Sequence, residues 1–250
     1  MSHGKASFDY TGTQVLVTGG TNGIGYGIAI AYRDAGARVV VTGTRADPTA
    51  YDNDLTGMAF RQLDVREKDA IRALAASLDG LDILVNNAGA SMPGGDEWTA
   101  DGFEASVRVN LFSAFHMASA CHAHLAASAQ PGGASVIGIA SLTTYFGNEI
   151  VPGYGAAKAG LSQLTKTLAM TWAGDGIRAN AVAAGVIDTR MTSFMKDIPD
   201  MNDPIIARTP LKRWGTPDDI AAVLLFLTSA DAAFVTGQTL LVDGGYSVTL

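Results

Sequence analysis

The 250-residue chain has one cysteine, eight prolines, 17 lysines and arginines, and no long apolar run. Each scarcity excludes something. The lone Cys121 leaves no partner for an intrachain disulfide. Its neighbours in FHMASACHAHLAA read as the surroundings of a buried, inert thiol in a reducing compartment. A formal net charge of -7 offers no basic patch long enough to track a phosphate backbone, so nucleic acid is not an expected partner. No segment approaches the roughly 20 apolar residues that span a bilayer, and MSHGKASFDY lacks the apolar core of a signal peptide. A soluble, cytoplasmic chain without a membrane partner is expected. His122 and His124 stand two apart, a spacing that does not share a helix face, and no acidic or thiol cluster completes a site, so no metal is expected.

Nor is there a Pro- or Ser-rich linker, a repeat or a low-complexity tract, so residues 1–250 are expected to form one domain. What the chain has instead is alternation. QVLVTGG, ARVVVTG, MAFRQLDV, LDILVNNAG, ASVIGIAS, IRANAVAAG and QTLLVDGG are short apolar runs ending in turn residues, and most are separated by stretches with helical spacing. Such runs predict an α/β fold of the Rossmann type, a doubly wound parallel sheet flanked by helices on both faces. Ligands of such sheets sit outside the carboxyl ends of the strands. Attention falls on Gly19 to Gly25, Gly43 to Arg45, Asp64, Asn86 to Gly89, Ser141 and Gly185 to Thr189.

In TGGTNGIG, Gly19, Gly23 and Gly25 lie between the first strand and the first helix. Missing side chains let the backbone approach a pyrophosphate, and the helix N-terminus offers free N–H groups, so a dinucleotide fits there. After the second strand, Gly43 and Thr44 stand where a carboxylate for a ribose 2′-OH would be expected, and Arg45 follows. This favours NADP(H), with NAD(H) possible; the other reading of Arg45 is a solvated loop charge. Asp64 is placed for the adenine amino group, or alternatively for capping the next helix. In YGAAK, Tyr154 and Lys158 share a helix face one turn apart.

These residues together resemble the short-chain dehydrogenase/reductase family, with a general likeness to its 3-oxoacyl-carrier-protein reductase-like members. TGGTNGIG (18–25), LDV (63–65), NNAG (86–89), Asn110 in VRVNLF, Ser141 in IGIAS and YGAAK (154–158) carry the resemblance. IRANAVAAG, VIDT, RWGTPDDIA and VTGQTLLVDGGYS extend it, and the thirteen-residue step from Ser141 to Tyr154 belongs to the pattern. The resemblance implies a set of Asn110, Ser141, Tyr154 and Lys158 that interconverts an alcohol and a carbonyl. Tyr154 would be the acid, Lys158 would ease its ionisation and hold the nicotinamide ribose, Ser141 would polarise the substrate oxygen, and Asn110 would hold a helix kink and a water. The cofactor would meet Gly19, Thr21, Asn22, Gly23, Ile24, Gly25, Thr44, Arg45, Asp64, Val65, Asn87, Ala88 and Gly89, together with Tyr154, Lys158, Ile187 and Thr189. One departure stands out: Ala184 replaces the proline usual before Gly185, which is expected to loosen the turn that follows.

The variable segment MTSFMKDIPDMNDPIIARTP is the expected substrate lid, about residues 190–212. Met191, Phe194, Met195, Ile198, Met201, Ile205 and Ile206 would give it an apolar lining, opposite Leu142, Phe146 and Val186. A small to medium apolar carbonyl compound or its alcohol is the first expectation. A sugar, polyol or other hydroxy-compound dehydrogenase linked to NAD is the alternative, and a dinucleotide-binding regulatory protein without turnover is a third reading. Gly155, Ala156, Ala159 and Gly160 form a small-residue helix face through which family members pair, so the resemblance also implies a homotetramer.

Overall fold

The seven apolar runs become seven strands: β1 (Gln14–Val17), β2 (Arg38–Gly43), β3 (Ala59–Gln62), β4 (Ile83–Asn86), β5 (Ala134–Ser141), β6 (Ile177–Ala184) and β7 (Thr239–Val242). The structure is a computed structural model describing residues 6–92, 94–190 and 192–249. All six strand pairings are parallel, in the order β3-β2-β1-β4-β5-β6-β7. The chain therefore works outwards from β1 to β3, returns to β4, and works outwards again to β7. β3 is shorter than the run MAFRQLDV, because it is an edge strand whose Arg61 and Gln62 lie in solvent.

Helices cover both faces, as expected: α1 (Gly23–Asp34), α2 (Lys68–Ala76), α3 (Ala100–Val107), α4 (Ser113–Ala126), α5 (Pro152–Trp172), α6 (Pro199–Arg208) and α7 (Pro217–Thr228). Successive strand residues point to opposite faces, so each face has its own core. Val15 and Val17 pack with Ile28 and Tyr32 of α1 and with Ile220 and Leu224 of α7. Leu16 and Leu84 face the other way, against Leu74 of α2, Met117 and Leu125 of α4 and Leu168 of α5. Each fully buried Leu, Ile or Val contributes about 1.5–3 kcal/mol. Cys121 belongs to this second core, and burial pushes its thiol up to about 12, as suits an inert group. His122 and His124 diverge: the first meets Asp175 at 2.9 Å and the second meets the carbonyl of Ala75 at 3.0 Å. Among the described residues no helix is long and apolar enough to cross a membrane.

One buried cation ties the strand ends to the loops behind them. Arg178 of β6 is 6% exposed. It donates to the carbonyls of Gly132 (2.8 Å), Leu227 (2.7 Å), Val235 (3.1 Å) and Ser229 (3.3 Å), and to Ser135 Oγ at 3.1 Å. Removing the guanidinium would orphan several buried carbonyls, each costing on the order of 1–3 kcal/mol. Arg178→Met is therefore expected to lose about 3 kcal/mol or more of stability. Urea unfolding checks this: the midpoint should fall with an unchanged slope.

Candidate active site

The sheet changes direction between β1 and β4, and there a cavity of about 1150 Å³ opens at the carboxyl ends of the strands. Every residue assigned above to the cofactor lines it, and so does Ser141. Asn110 stands just behind the wall.

The turn after β1 is shaped for a close approach. Gly19 adopts φ +64°, and a Cβ there would press on Ala88 and Asn87; a Cβ on Gly25 would overlap Asn87 Nδ2 and the carbonyl of Gly19. Asn22 caps α1 without a side-chain hydrogen bond to the helix amides, and the first turn of the helix holds no acidic residue. Its free amides and positive dipole end face the cavity, so the residues present fit a dinucleotide pyrophosphate. Asn53, which the sequence pattern did not single out, braces the turn by donating to Thr21 O (2.9 Å) and Asn22 Oδ1 (3.1 Å).

At the end of β2, Thr44 and Arg45 are exposed on the rim. The Arg45 guanidinium lies 5.1 Å from the Tyr51 ring centroid and bonds the carbonyl of Ala50, while Tyr51 Oη accepts from Arg45 N at 2.8 Å. Arg45 is thus held in place, which a freely solvated loop charge would not be. Asp47 instead accepts from Thr49 N at 2.8 Å and caps the turn Pro48–Ala50. Asp64 does not cap α2, whose first cap residue is Glu67. It pairs with Arg66, and this bonding holds its carboxyl below the ordinary value. Arg66 also lines the cavity and was not anticipated.

Tyr154 and Lys158 do share a face of α5, with Lys158 Nζ 5.3 Å from the Tyr154 ring centroid. Pro152 starts the helix two residues before Tyr154, a position where its missing N–H costs nothing. Lys158 is 4% exposed and donates to the carbonyl of Ile139 at 2.8 Å; burial pulls its amine down to about 8. Tyr154 is pushed up, chiefly by burial; a hydrogen bond with Ser141 opposes the rise and the Glu97 carboxylate adds to it. The sequence led us to expect that the ammonium would favour the phenolate. In the folded chain desolvation prevails instead, since Lys158 is buried and Tyr154 is partly so.

Asn110 sits in a widened, π-helical turn, Arg108–Phe112, between α3 and α4. Its Nδ2 donates to Ser106 O (2.9 Å) and Ala90 O (2.7 Å), and its Oδ1 accepts from Ala90 N (3.1 Å). The bond to Ser106 O competes with the backbone ladder and accounts for the expected distortion. A Cβ on Gly89 would lie 2.6 Å from Asn110 Oδ1 and 3.3 Å from Lys158 Nζ, so a glycine is needed between them. Glu97 escaped the sequence reading. It is 1% exposed, and its two oxygens accept from Met92 N (2.9 Å) and Tyr154 N (2.7 Å), joining the loop after β4 to the first turn of α5.

Beyond the strand ends, Leu142, Phe146, Val186 and Met195 line the cavity as expected. Phe194, Ile198 and Met201 do not; each is more than 40% exposed. Ile205 and Ile206 are half-buried outside it, and Met191 lies outside the described residues. Ala184 leaves no visible looseness: it ends β6 in register with Ser141 and Val242, and Gly185 N donates to Val242 O at 2.9 Å. Thr192 Oγ1 then fastens the turn by donating to Ile187 O at 2.6 Å.

The family described as enoyl-(acyl carrier protein) reductase matches residues 19–247. A 2-dehydro-3-deoxy-D-gluconate 5-dehydrogenase of Pseudoalteromonas atlantica is 37% identical over 96% of this chain and 97% of its own length. A 3-oxoacyl-[acyl-carrier-protein] reductase of Chlamydia pneumoniae is 36% identical over 94% of this chain and 96% of its own. Among solved structures, a putative 2-deoxy-D-gluconate 3-dehydrogenase of Agrobacterium tumefaciens with bound NADP is similar at a TM-score of 0.86. It is 36% identical and covers 98% of this chain and 100% of its own.

The buried amine links folding to pH. Between about 8 and 10.5 an unfolded Lys158 is protonated and the folded one is not. The unfolded state then binds more protons, so stability rises with pH across that window. The stability of the wild type relative to Lys158→Met should therefore be flat below about 8 and climb towards 10.5. Urea titrations of both proteins at several pH values read this directly; a constant difference would mean that the amine is not desolvated.

Proposed function

The chain belongs to the short-chain dehydrogenase/reductase family and is an oxidoreductase of alcohol and carbonyl groups, and within that class we propose that it works with NADP(H) in preference to NAD(H). The observation that carries the reading is one cavity holding a glycine turn at one end and Ser141, Tyr154 and Lys158 beside it.

When bound, the nicotinamide supplies or accepts the hydride and, oxidised, adds a positive charge beside the phenol. The remaining work falls to the chain. In carbonyl reduction Tyr154 Oη would give its proton to the oxygen, and in alcohol oxidation it would take that proton back. Ser141 Oγ would hydrogen-bond the same oxygen and fix its position against the phenol. Lys158, anchored on Ile139 O, would hold the nicotinamide ribose. Asn110, through the widened turn and Ala90, would keep the loop after β4 against α5. Gly19 to Gly25 would take the pyrophosphate, Thr44 and Arg45 the 2′-phosphate, Asp64 and Val65 the adenine, Ala88 and Gly89 the inner ribose, and Ile187 and Thr189 the carboxamide. NADP in the Agrobacterium relative supports the phosphorylated cofactor.

An apolar part of the substrate would rest on Leu142, Phe146, Val186 and Met195, under a lid formed by residues 190–212. A second reading, a sugar-acid or other hydroxy-compound dehydrogenase, is favoured by the relatives named for gluconate derivatives. The same reading takes the protein as a cytoplasmic homotetramer. Ala156 and Ala159 on α5 are exposed, as are Phe103, Phe112, Phe115 and Met170, and this supports association.

Tyr154→Phe is expected to bind NADPH nearly as the wild type does, read by nicotinamide fluorescence, and to lose turnover by about 10²–10⁴-fold. Carbonyl reduction at the wild-type rate would overturn the mechanism. Arg45→Ala should weaken NADPH by about tenfold and NADH much less, since a charge-assisted contact to the 2′-phosphate is removed. Equal losses for the two cofactors would remove Arg45 from that role.

A further inference from the structure

Arg208, the last residue of α6, is a cation without an anion. Its guanidinium carbon lies 4.4 Å from the Tyr246 ring centroid and 5.4 Å from that of Phe146. All three side chains line the cavity that holds Ser141 and Tyr154. Three separate segments therefore converge on this group: the lid helix, the turn after β5 and the turn after β7. Stacking on aromatic rings holds a guanidinium in place but leaves its in-plane N–H groups unused.

Among the described residues none of those N–H groups has a hydrogen-bond acceptor, no carboxylate lies within ion-pair distance, and the buried Nε is unpartnered. Several other arginines are provided for, while Arg38 and Arg108, which also have no partner among the described residues, are exposed and lie outside the cavity. Arg178 meets five acceptors, Arg213 pairs with Asp219 at 2.7 Å, and Arg190 pairs with Asp52 at 3.2 Å. One further buried polar atom lacks a partner, Thr143 Oγ1, and Thr143 lines the same cavity. An orphaned donor in a protein interior costs on the order of 1–3 kcal/mol, which a ligand that supplies acceptors recovers.

The geometry points to Arg208, assisted by Thr143, as the seat of a substrate carboxylate, so that the substrate is a hydroxy or keto acid. This rests on the alcohol–ketone reading of the same cavity and deepens it. A single planar fork with one hydroxyl matches two coplanar oxygens of one charge; a phosphate dianion would call for a second free cation at that end. The apolar wall of Leu142 and Met195 contacts the carbon chain, while the acid end is fixed at Arg208 and the reacting carbon lies at Tyr154.

D-gluconate and D-sorbitol test this, because they differ only in a carboxylate replaced by a hydroxymethyl group. Calorimetric titration of each into the NADP⁺ complex of the wild type should give at least about tenfold tighter binding of gluconate. Arg208→Met should bring the two within about threefold of each other. Arg208→Gln, which keeps a planar hydrogen-bonding group on a shorter stem, should do the same, and Arg208→Lys should retain part of the preference. Equal affinity for the two in the wild type, or an undiminished preference in the Met and Gln variants, overturns the assignment. Where gluconate is oxidised, the same titrations in the Tyr154→Phe background keep the heat of turnover out of the heat of binding. Gluconate that binds through Arg208 without NADP⁺ reduction would leave this inference standing and sink the proposed reaction on that acid.

Discussion

The side-chain amide of Asn87 bridges the two halves of the sheet at the point where strand order reverses. Its Nδ2 donates to Thr18 O at 2.9 Å and to Gly19 O at 3.1 Å, while Thr18 Oγ1 accepts from the backbone of Asn87 and Ala88, each at 3.0 Å. Four such bonds contribute about 1 kcal/mol each, modest beside the cores on either face. Their importance is positional. Parallel strands on the two sides of a reversal leave a crevice, and nothing in the hydrophobic effect fixes its width. Asn87 fixes it, and the bare Gly25 makes room for the amide that does so. Because that side chain is occupied within the chain, the wall it supports presents the backbone of Ala88 and Gly89 to the cavity.

Electrostatics in the cavity follow from burial more than from pairing. Lys158 and Tyr154 lie close together, yet each is driven towards its neutral form. Glu97 acts in the same direction on Tyr154, and its carboxylate is immobilised by two backbone N–H donors. The chain's own field thus holds Tyr154 as the proton-bearing acid, which is the form that carbonyl reduction uses. Alcohol oxidation needs the phenolate, and these residues alone do not favour it. The proposed preference for NADP(H) arises from a different part of the sheet, the loop after β2, and does not depend on the state of the tyrosine.

Much of this was legible beforehand because it is local. The seven strands announce themselves as short apolar runs with glycine-rich ends, and Tyr154 and Lys158 share a face by helical geometry alone. What escaped depends on distant segments meeting. Glu97 is an unremarkable acidic residue in a loop until it reaches Tyr154 N, 57 positions away. Arg208 appears as a charge closing a helix, and only tertiary contacts set it against Phe146 and Tyr246. The lid misled for a related reason. Phe194, Met195, Ile198 and Met201 are equally apolar, but a short 3-10 segment, Ser193–Asp197, and a ten-residue helix carrying Pro204 decide which of them faces inward, and only Met195 does. Hydrophobicity without a sustained period does not encode direction.

The two arginines at the ends of the cavity show how an acidic protein can handle anions. With a net charge of -7, long-range repulsion works against an anionic cofactor or substrate, and at physiological salt fields between exposed charges fade within about 8 Å. Recognition must therefore be short-ranged and preorganised. Arg45 rests on Tyr51 and Arg208 on Tyr246, so each guanidinium is oriented by an aromatic face rather than by a carboxylate. A carboxylate partner would have to be displaced before an incoming anion could bind, whereas a ring holds the cation and leaves its donors available. On the proposed reading, the same device at both ends would give an elongated anionic pair of reactants one orientation in which the reacting carbon meets the phenol.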